Sequence, residues 1–551
     1  MEAVLPSNIN YLDTLPKAVP AERKRRNFFA ANGTQYRPGQ TMIIEISDPR
    51  SFLDVQNSFL RFTITNQNAA GGVIVPELGG GYAYLKNFRV QQAGNTIMNI
   101  QEYSRLYNGI IAPTTGGMDW KCSTSVYENV QCFGTSLQAA GPTTNTPATA
   151  AEFTGGVATA CNVPSIANAG IAPAGGQVEY CVPLYGGLFS QDKLIPLPML
   201  NQPIQLIFDL SDVDRVGAWD VVPVATDILI SNVRYCAEMV EVPRDVLGFL
   251  SQQQQAHGGS LIVEASSYEY QRANLEAGAT GSQILNIPSR KRSIKSIQFV
   301  AMADPTSITL LSGAAGSGMG ANRGPAEVFT ETTSANPCLV SYQLRAGSMV
   351  MPPQPIAGPG GRNAIPGPGP GARAGTAVVV GLPNMDNNKG ESVFELSKAI
   401  GHLGSTMGLG GCQRLTYANP VSVIAGAQCS IGTNWVAGQG QMGPGNDAIG
   451  APQPDIAGGP PGFGDQWKFC PFAIDLEAYQ NQAINSGLNT KEMSLQMTLH
   501  LEIANDLSVA DTGGGGLAAA GGQSSAINFD IYSYHDILYY FNSDGTITFS
   551  D

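Results

Sequence analysis

The clearest signal along the chain is a two-residue alternation of apolar and polar positions, repeated in short runs over two long stretches. Met42, Ile44 and Ile46 alternate with smaller or polar neighbours. Leu60, Phe62 and Ile64 alternate with Arg61, Thr63 and Thr65, and Ile204, Leu206, Phe208 and Leu210 keep the same beat. Successive side chains of a strand point to opposite faces, so this period predicts strands with one buried face. Further strands are predicted at 82–92, 95–101, 178–184 and 228–240, with Ala93-Gly94-Asn95 as the hairpin connection between the first two. From 259 the rhythm starts again, with strands at 261–270, 282–288, 293–301, 338–351, 467–475, 493–503 and 527–541. In the sharpest of these, Leu495, Met497, Leu499, Leu501 and Ile503 alternate with Gln496, Thr498, His500 and Glu502.

The period changes to that of a helix in three places. Tyr103, Leu106, Tyr107, Ile110 and Ile111 share one helical face. Pro243 can occupy the first turn of a helix carrying Val246, Leu247, Phe249 and Leu250. A third helix is predicted over 392–403, with Ser392 and Glu395 as a capping box and Val393, Leu396, Ile400 and Leu403 facing inward. Between these elements, residues 112–177, 303–336, 352–384 and 404–466 lose all periodicity and fill with small residues and proline. Stretches of that length inside compact domains are uncommon and belong to function or disorder. The expected organisation is an N-terminal arm (1–40), a first β-sandwich (41–242), a helical linker (243–258), a second β-sandwich (259–545) and a short tail (546–551).

Composition agrees with that plan. A chain of 551 residues is long enough for two or three domains, and 65 glycines, 36 prolines and only 13% charged residues suit turns and loops on a β framework. The net charge of −13 argues against a general nucleic-acid binder. One exception is the basic run Arg23, Lys24, Arg25 and Arg26, which has two readings. It is a solvated arm, or a tail that meets an anionic surface such as nucleic acid or lipid headgroups. Nine dispersed cysteines without a CxxC suggest reduced thiols made in a cytosol-like compartment. The opening residues lack the basic and apolar regions of a secretory signal, and no run of about 18 apolar residues is present.

Chemistry is sparse. Gly316, Gly318 and Gly320 follow a plausible strand, but Ala321-Asn322-Arg323-Gly324-Pro325 cannot promptly start the helix that a dinucleotide loop requires. The glycines at 513–516 fail the same test. Asp209, Asp212, Asp214 and Asp220 cluster near the end of a strand, either as a polar loop or as oxygen ligands for a hard cation, although an EF-hand's glycine and terminal glutamate are missing. The four histidines (257, 402, 500, 535) form no spaced ligand pair, and no nucleophile elbow occurs. A β-rich carbohydrate-binding protein or glycosidase is the alternative from another functional class.

Several segments in order carry a resemblance. They are Arg37-Pro38-Gly39-Gln40, the run from Phe52 to Phe62, Tyr84 to Val90 and Asn99 to Asn108 in the first half. In the second half they are Arg290 to Ile297, Tyr342 to Ser348 with Pro352-Pro353-Gln354-Pro355, Ser486 to Thr490 and Tyr534 to Leu538. Together they resemble the double jelly-roll major capsid proteins of tailless icosahedral DNA viruses, nearest to the polinton-like virus, virophage and adinto-type lineage. The resemblance implies an all-β fold of two tandem jelly rolls with short helices and long Gly/Pro-rich loops. It implies a non-enzymatic building block without cofactors that closes into a homotrimer, a pseudo-hexameric capsomer tiling an icosahedral shell. Implied partners are neighbouring capsomers, penton and minor capsid or cement proteins, and an inner membrane or genomic DNA met through the basic arm. The implied location is the virion shell, after synthesis in host cytoplasm or assembly in a nucleus or virus factory. Another virion surface component, spike or penton-like, is the structural alternative.

Overall fold

The computed structural model describes residues 21–67, 74–76, 80–114, 177–213, 215–219, 224–256, 258–276, 279, 281–303, 339–358, 389–401, 471–478, 486–491, 496–503 and 527–551. The predicted loop regions 112–177, 303–336, 352–384 and 404–466 lie largely outside them, as do the glycines at 316–320 and 513–516.

The first sandwich is built from β1 (Glu22–Phe29), β3 (Thr41–Ile46), β4 (Ser51–Asn66), β6 (Leu85–Gln92), β7 (Asn95–Ile100), β8 (Gln177–Pro183), β9 (Ile204–Leu210) and β11 (Ile228–Glu241). One of its sheets runs β1-β11-β4-β8, and the facing sheet runs β3-β9-β6-β7. A two-residue strand, β2 (Gln35–Tyr36), adds to β11, and β5 (Ile74–Pro76) pairs with β10 (Gly217–Trp219) to one side. The second sandwich uses β12 (Ser260–Leu275), β13 (Gly281–Ile287), β14 (Ile294–Ala303), β15 (Leu339–Ala346), β16 (Met349–Ala357), β17 (Pro471–Asp475), β18 (Met497–Ile503) and β19 (Ile527–Asn542). Its sheets run β12-β19-β14-β17 and β13-β18-β15-β16.

Counted within each sandwich, both give strand orders 1-8-3-6 and 2-7-4-5. That is two nested Greek keys, the jelly roll, made twice. All sixteen of these strands pair antiparallel within their sheets.

The alternation read from sequence is the alternation of burial. Met42, Ile44 and Ile46 of β3 are fully buried, and β18 buries Met497, Leu499, Leu501 and Ile503 while Thr498, His500 and Glu502 stand half out. The β6–β7 hairpin turns on Ala93 and Gly94, both at positive φ (51° and 79°), which a two-residue turn of type I′ requires. The apolar side chains of both sandwiches join in one continuous core.

Five expectations need correction. The first sandwich begins at β1, not at residue 41, because the basic run is its first strand. Residues 82–84 belong to a buried 3-10 turn (Gly80–Tyr84) ahead of β6. The predicted strand 338–351 is a hairpin, since Gly347 at positive φ turns β15 back into β16. The expected tail contains β20 (Ile547–Ser550), which pairs with β19. The third helix starts earlier, at Lys389, and ends at Ala399, so Ser392 lies inside it. Ser392 donates to the carbonyl of Ala357 (2.6 Å), while Glu391 accepts from the Ala357 amide (3.0 Å) and Glu395 pairs with Lys398 (2.9 Å). Helix and strand are thereby tied together where a capping box was expected.

Candidate functional site

The basic run occupies the edge strand β1, in register with β11 from Glu22↔Glu241 to Phe29↔Arg234. Each cation finds a carboxylate of its own chain: Arg23 with Asp54 (2.7 Å), Lys24 with Glu241 (2.8 Å), Arg25 with Glu238 (2.6 Å) and Arg26 with Asp48 (2.8 Å). Hydrogen bonding to Glu241, then to Glu22, raises the Lys24 ammonium above its ordinary value. Exposed pairs of this sort are screened by solvent and add little to stability. Their larger effect is on the edge itself, since charges along an unpaired strand discourage further strand addition. The expected free tail is therefore a charge-balanced strand.

Of the aspartate cluster, Asp214 and Asp220 lie outside the described residues. Asp209, on β9, accepts hydrogen bonds from Thr41 (2.8 Å), Asn87 (3.2 Å) and Arg89 (3.1 Å). Burial alone would raise its carboxyl, but Thr41, Asn87 and the Arg89 guanidinium outweigh burial and hold it below the usual range. Asp212 pairs with Lys86 (3.1 Å). Among the described residues no group of three or more His, Cys, Asp or Glu is placed to hold a metal ion. The two described aspartates tie strands and a loop together, and a cation would have to displace their arginine and lysine partners.

The most constrained polar site is one the sequence did not single out as a site: the junction between the sandwiches. It starts from a short helix, α1 (Tyr103–Leu106), which follows β7 and continues as a π turn (Tyr107–Ile111). Glu102 sits before it in the left-handed region at φ 47°. Tyr82 stacks on Tyr107 (centroids 3.5 Å apart), and the Tyr103 hydroxyl accepts from the amide of Tyr185 (2.8 Å), so the helix is held firmly in the first sandwich. From it Arg105, 1% exposed, reaches Asp530 of β19, fully buried, at 3.3 Å. The same guanidinium donates to the carbonyl of Ala301 on β14 (3.3 Å).

Asp530 is also held by Tyr270 (2.8 Å) and by Arg272 (2.9 Å), both on β12. Glu102 draws in Arg215 (3.4 Å) and Arg272 (4.0 Å), and its carbonyl accepts from Tyr532 (2.9 Å). Burial, then the Asp530 charge, raises the Tyr270 phenol, which keeps it a donor. Burial works against the Arg272 charge, but Asp530 more than offsets it and the proton is held more tightly than usual.

Further contacts join the sandwiches. The Gln92 side chain donates to the carbonyl of Gly545 (2.9 Å) and accepts from the amide of Ile547 (2.7 Å), so the last residue of β6 is stitched to the turn before β20. Gly187, at φ 53°, sits where Met98 and Tyr539 meet and leaves no room for a Cβ. Beside them, the Tyr185 and Tyr268 hydroxyls are 3.3 Å apart, and burial pushes the Tyr185 phenol up to about 12. None of this arrangement is suited to turnover. It fixes one rigid body to another.

No protein-family model matches the chain, and no curated protein matches it. Solved structures do. The PBCV-1 VP54 crystal structure, fitted into a reconstruction of the virophage Sputnik, is 10% identical, covers 98% of this chain and 99% of its own, and superposes with a TM-score of 0.51. A quasi-atomic model of the PBCV-1 virus capsid gives the same identity, coverage and score. The Sputnik virophage structure is 9% identical over 100% of this chain and 93% of its own, with a TM-score of 0.48. At such identities the likeness to PBCV-1 VP54 is one of fold, and it extends over the whole chain. The fold is a double jelly roll.

Proposed function

We propose that this chain is the major capsid protein of an icosahedral virus. The observation that carries the reading is the duplicated jelly roll with one strand order, locked across a buried ionic junction into a single block. Two equivalent sandwiches side by side give a subunit two similar edges. Three such subunits close into a ring of six sandwiches, a pseudo-hexamer that can tile a flat facet. The fold shared with a viral capsid model along the full chain supports the same reading.

Within that reading the virion shell is its location, and penton and cement proteins are its further partners. An inner membrane or the genome meets Arg23, Lys24, Arg25 and Arg26, whose side chains stay about half exposed while each leans on a carboxylate. Such a partner exchanges with those carboxylates and is released by salt.

Solution mass tests the proposal. Three copies of a 57.8 kDa chain give a particle of about 173 kDa, and negative-stain images of it should show a hexagonal outline. A monodisperse monomer at micromolar concentration would count against the capsid reading.

A further inference from the structure

The linker helix α2 (Arg244–Ala256) spans the gap between the sandwiches and leaves an apolar groove beneath it. Gln254 pins the helix by donating to the carbonyl of Phe541 (2.8 Å). The groove has a volume of about 550 Å³, and its walls include Phe52, Leu194, Val242, Val246, Leu250 and Ile262. Leu194 (37%) and Ile262 (46%) are large apolar residues left exposed, and Lys193 is the one charged side chain among the described residues of the lining. Apolar surface concentrated in one concave place calls for an occupant.

We propose that the occupant is the N-terminal segment of the same chain, residues 1–20. The chain's own path makes the case. The first strand begins at Glu22, which pairs with Glu241, the residue before groove-lining Val242. On the other side of Glu241 lies Ser51, followed by groove-lining Phe52. The segment before β1 is therefore delivered at the groove mouth, and a tether that short supplies an effective concentration in the millimolar range.

Its composition fits an apolar slot. Val4, Leu5, Ile9, Tyr11, Leu12, Leu15 and Val19 give it apolar anchors, while only Glu2, Asp13 and Lys17 are charged. Pro6, Pro16 and Pro20 disfavour a helix and favour an extended strip. Lys193 at the groove offers a counter-charge to Asp13. The consequence is that the linker helix between the two jelly rolls is buttressed from below by residues 1–20.

Two measurements on the 551-residue chain test this. In hydrogen exchange, the amides of 246–254 should exchange at least about tenfold more slowly in the full chain than in a variant lacking residues 2–20. Ile262→Glu, at an already exposed position, should show the fast rates of the truncation with the second sandwich otherwise unchanged. Equal rates in the full and truncated chains would overturn the proposal. In the second measurement Leu12→p-benzoyl-phenylalanine is photo-crosslinked in a mixture of light and heavy isotope-labelled protein. Crosslinks to 242–263 within one isotope class support it. Mixed light–heavy crosslinks would assign the groove to a second copy, and crosslinks elsewhere would leave it to an outside partner; either refutes the proposal.

Discussion

Replacing Arg105 by methionine tests the junction most directly. Methionine keeps much of the side chain's length and suits an apolar pocket, so the change removes a charge and its donors more than it removes volume. Breaking a buried pair from one side costs about 3–5 kcal/mol, since the remaining charge stays buried. Here Asp530 would keep Tyr270 and Arg272, the latter one-third exposed, while the Ala301 carbonyl would lose a donor. The loss therefore belongs at the lower end of that range, about 3 kcal/mol.

Guanidinium unfolding at fixed protein concentration reads it. The continuous core predicts one cooperative transition for the parent chain, and Arg105→Met should bring the midpoint down and begin to separate the two sandwiches. Asp530→Asn completes a double-mutant cycle, in which the two losses should fall short of additivity by at least about 1.5 kcal/mol. A cost below about 1 kcal/mol for Arg105→Met, or strictly additive losses, would refute the idea that this pair locks the sandwiches.

Three other outcomes are expected. Gly187→Ala places a methyl group against Met98 and Tyr539 on a left-handed backbone, so thermal unfolding should show a loss of at least about 2 kcal/mol. Gln92→Ala takes the acceptor from the Ile547 amide and one of two donors from the Gly545 carbonyl, which keeps the Asn201 amide (3.1 Å), so a loss of about 1–2 kcal/mol with faster exchange across β20 should follow. Burial, and then Lys291, depress the imidazole of His535 below its ordinary value of 6.5, so the unfolded chain takes up that proton first. Stability from this group is complete above about pH 6.5 and is lost as pH falls toward the depressed folded value; denaturation series should show the fall, and His535→Gln should flatten it.

How legible the fold was from sequence depends on which force shaped each element. Strands such as β3, β9 and β18 bury one face against a core, and that alone writes a period of two into their residues. The first strand escaped notice for the opposite reason. Its outward side chains are balanced by carboxylates on β4, β11 and the β3–β4 turn rather than by an apolar layer, so Arg23 to Arg26 read as a solvated arm. The junction was equally hidden, since Arg105 and Asp530 lie 425 residues apart and nothing in either neighbourhood names the other. Arg105 also lies on the side of the helix opposite Tyr103, Leu106 and Tyr107, where a charged residue reads as solvent-facing, yet the second sandwich buries that side too.

The chemistry chosen for that junction bears on what a double jelly roll must do. Two sandwiches could be joined by apolar packing alone, and buried ion pairs are seldom more stabilising than apolar residues of the same volume. Apolar faces, however, tolerate sliding and small rotations. The Arg105 guanidinium cannot shift without losing Asp530 or Ala301, and Asp530 cannot follow it without leaving Tyr270 and Arg272. Gln92 imposes a second fixed point through two directional bonds to Gly545 and Ile547. Two separated polar anchors set an angle where one would permit a swivel. In the proposed shell that angle decides whether six sandwiches close into a ring, so the junction trades stability for a defined orientation. Variants that loosen it should then form capsomers of irregular outline before they fail to fold.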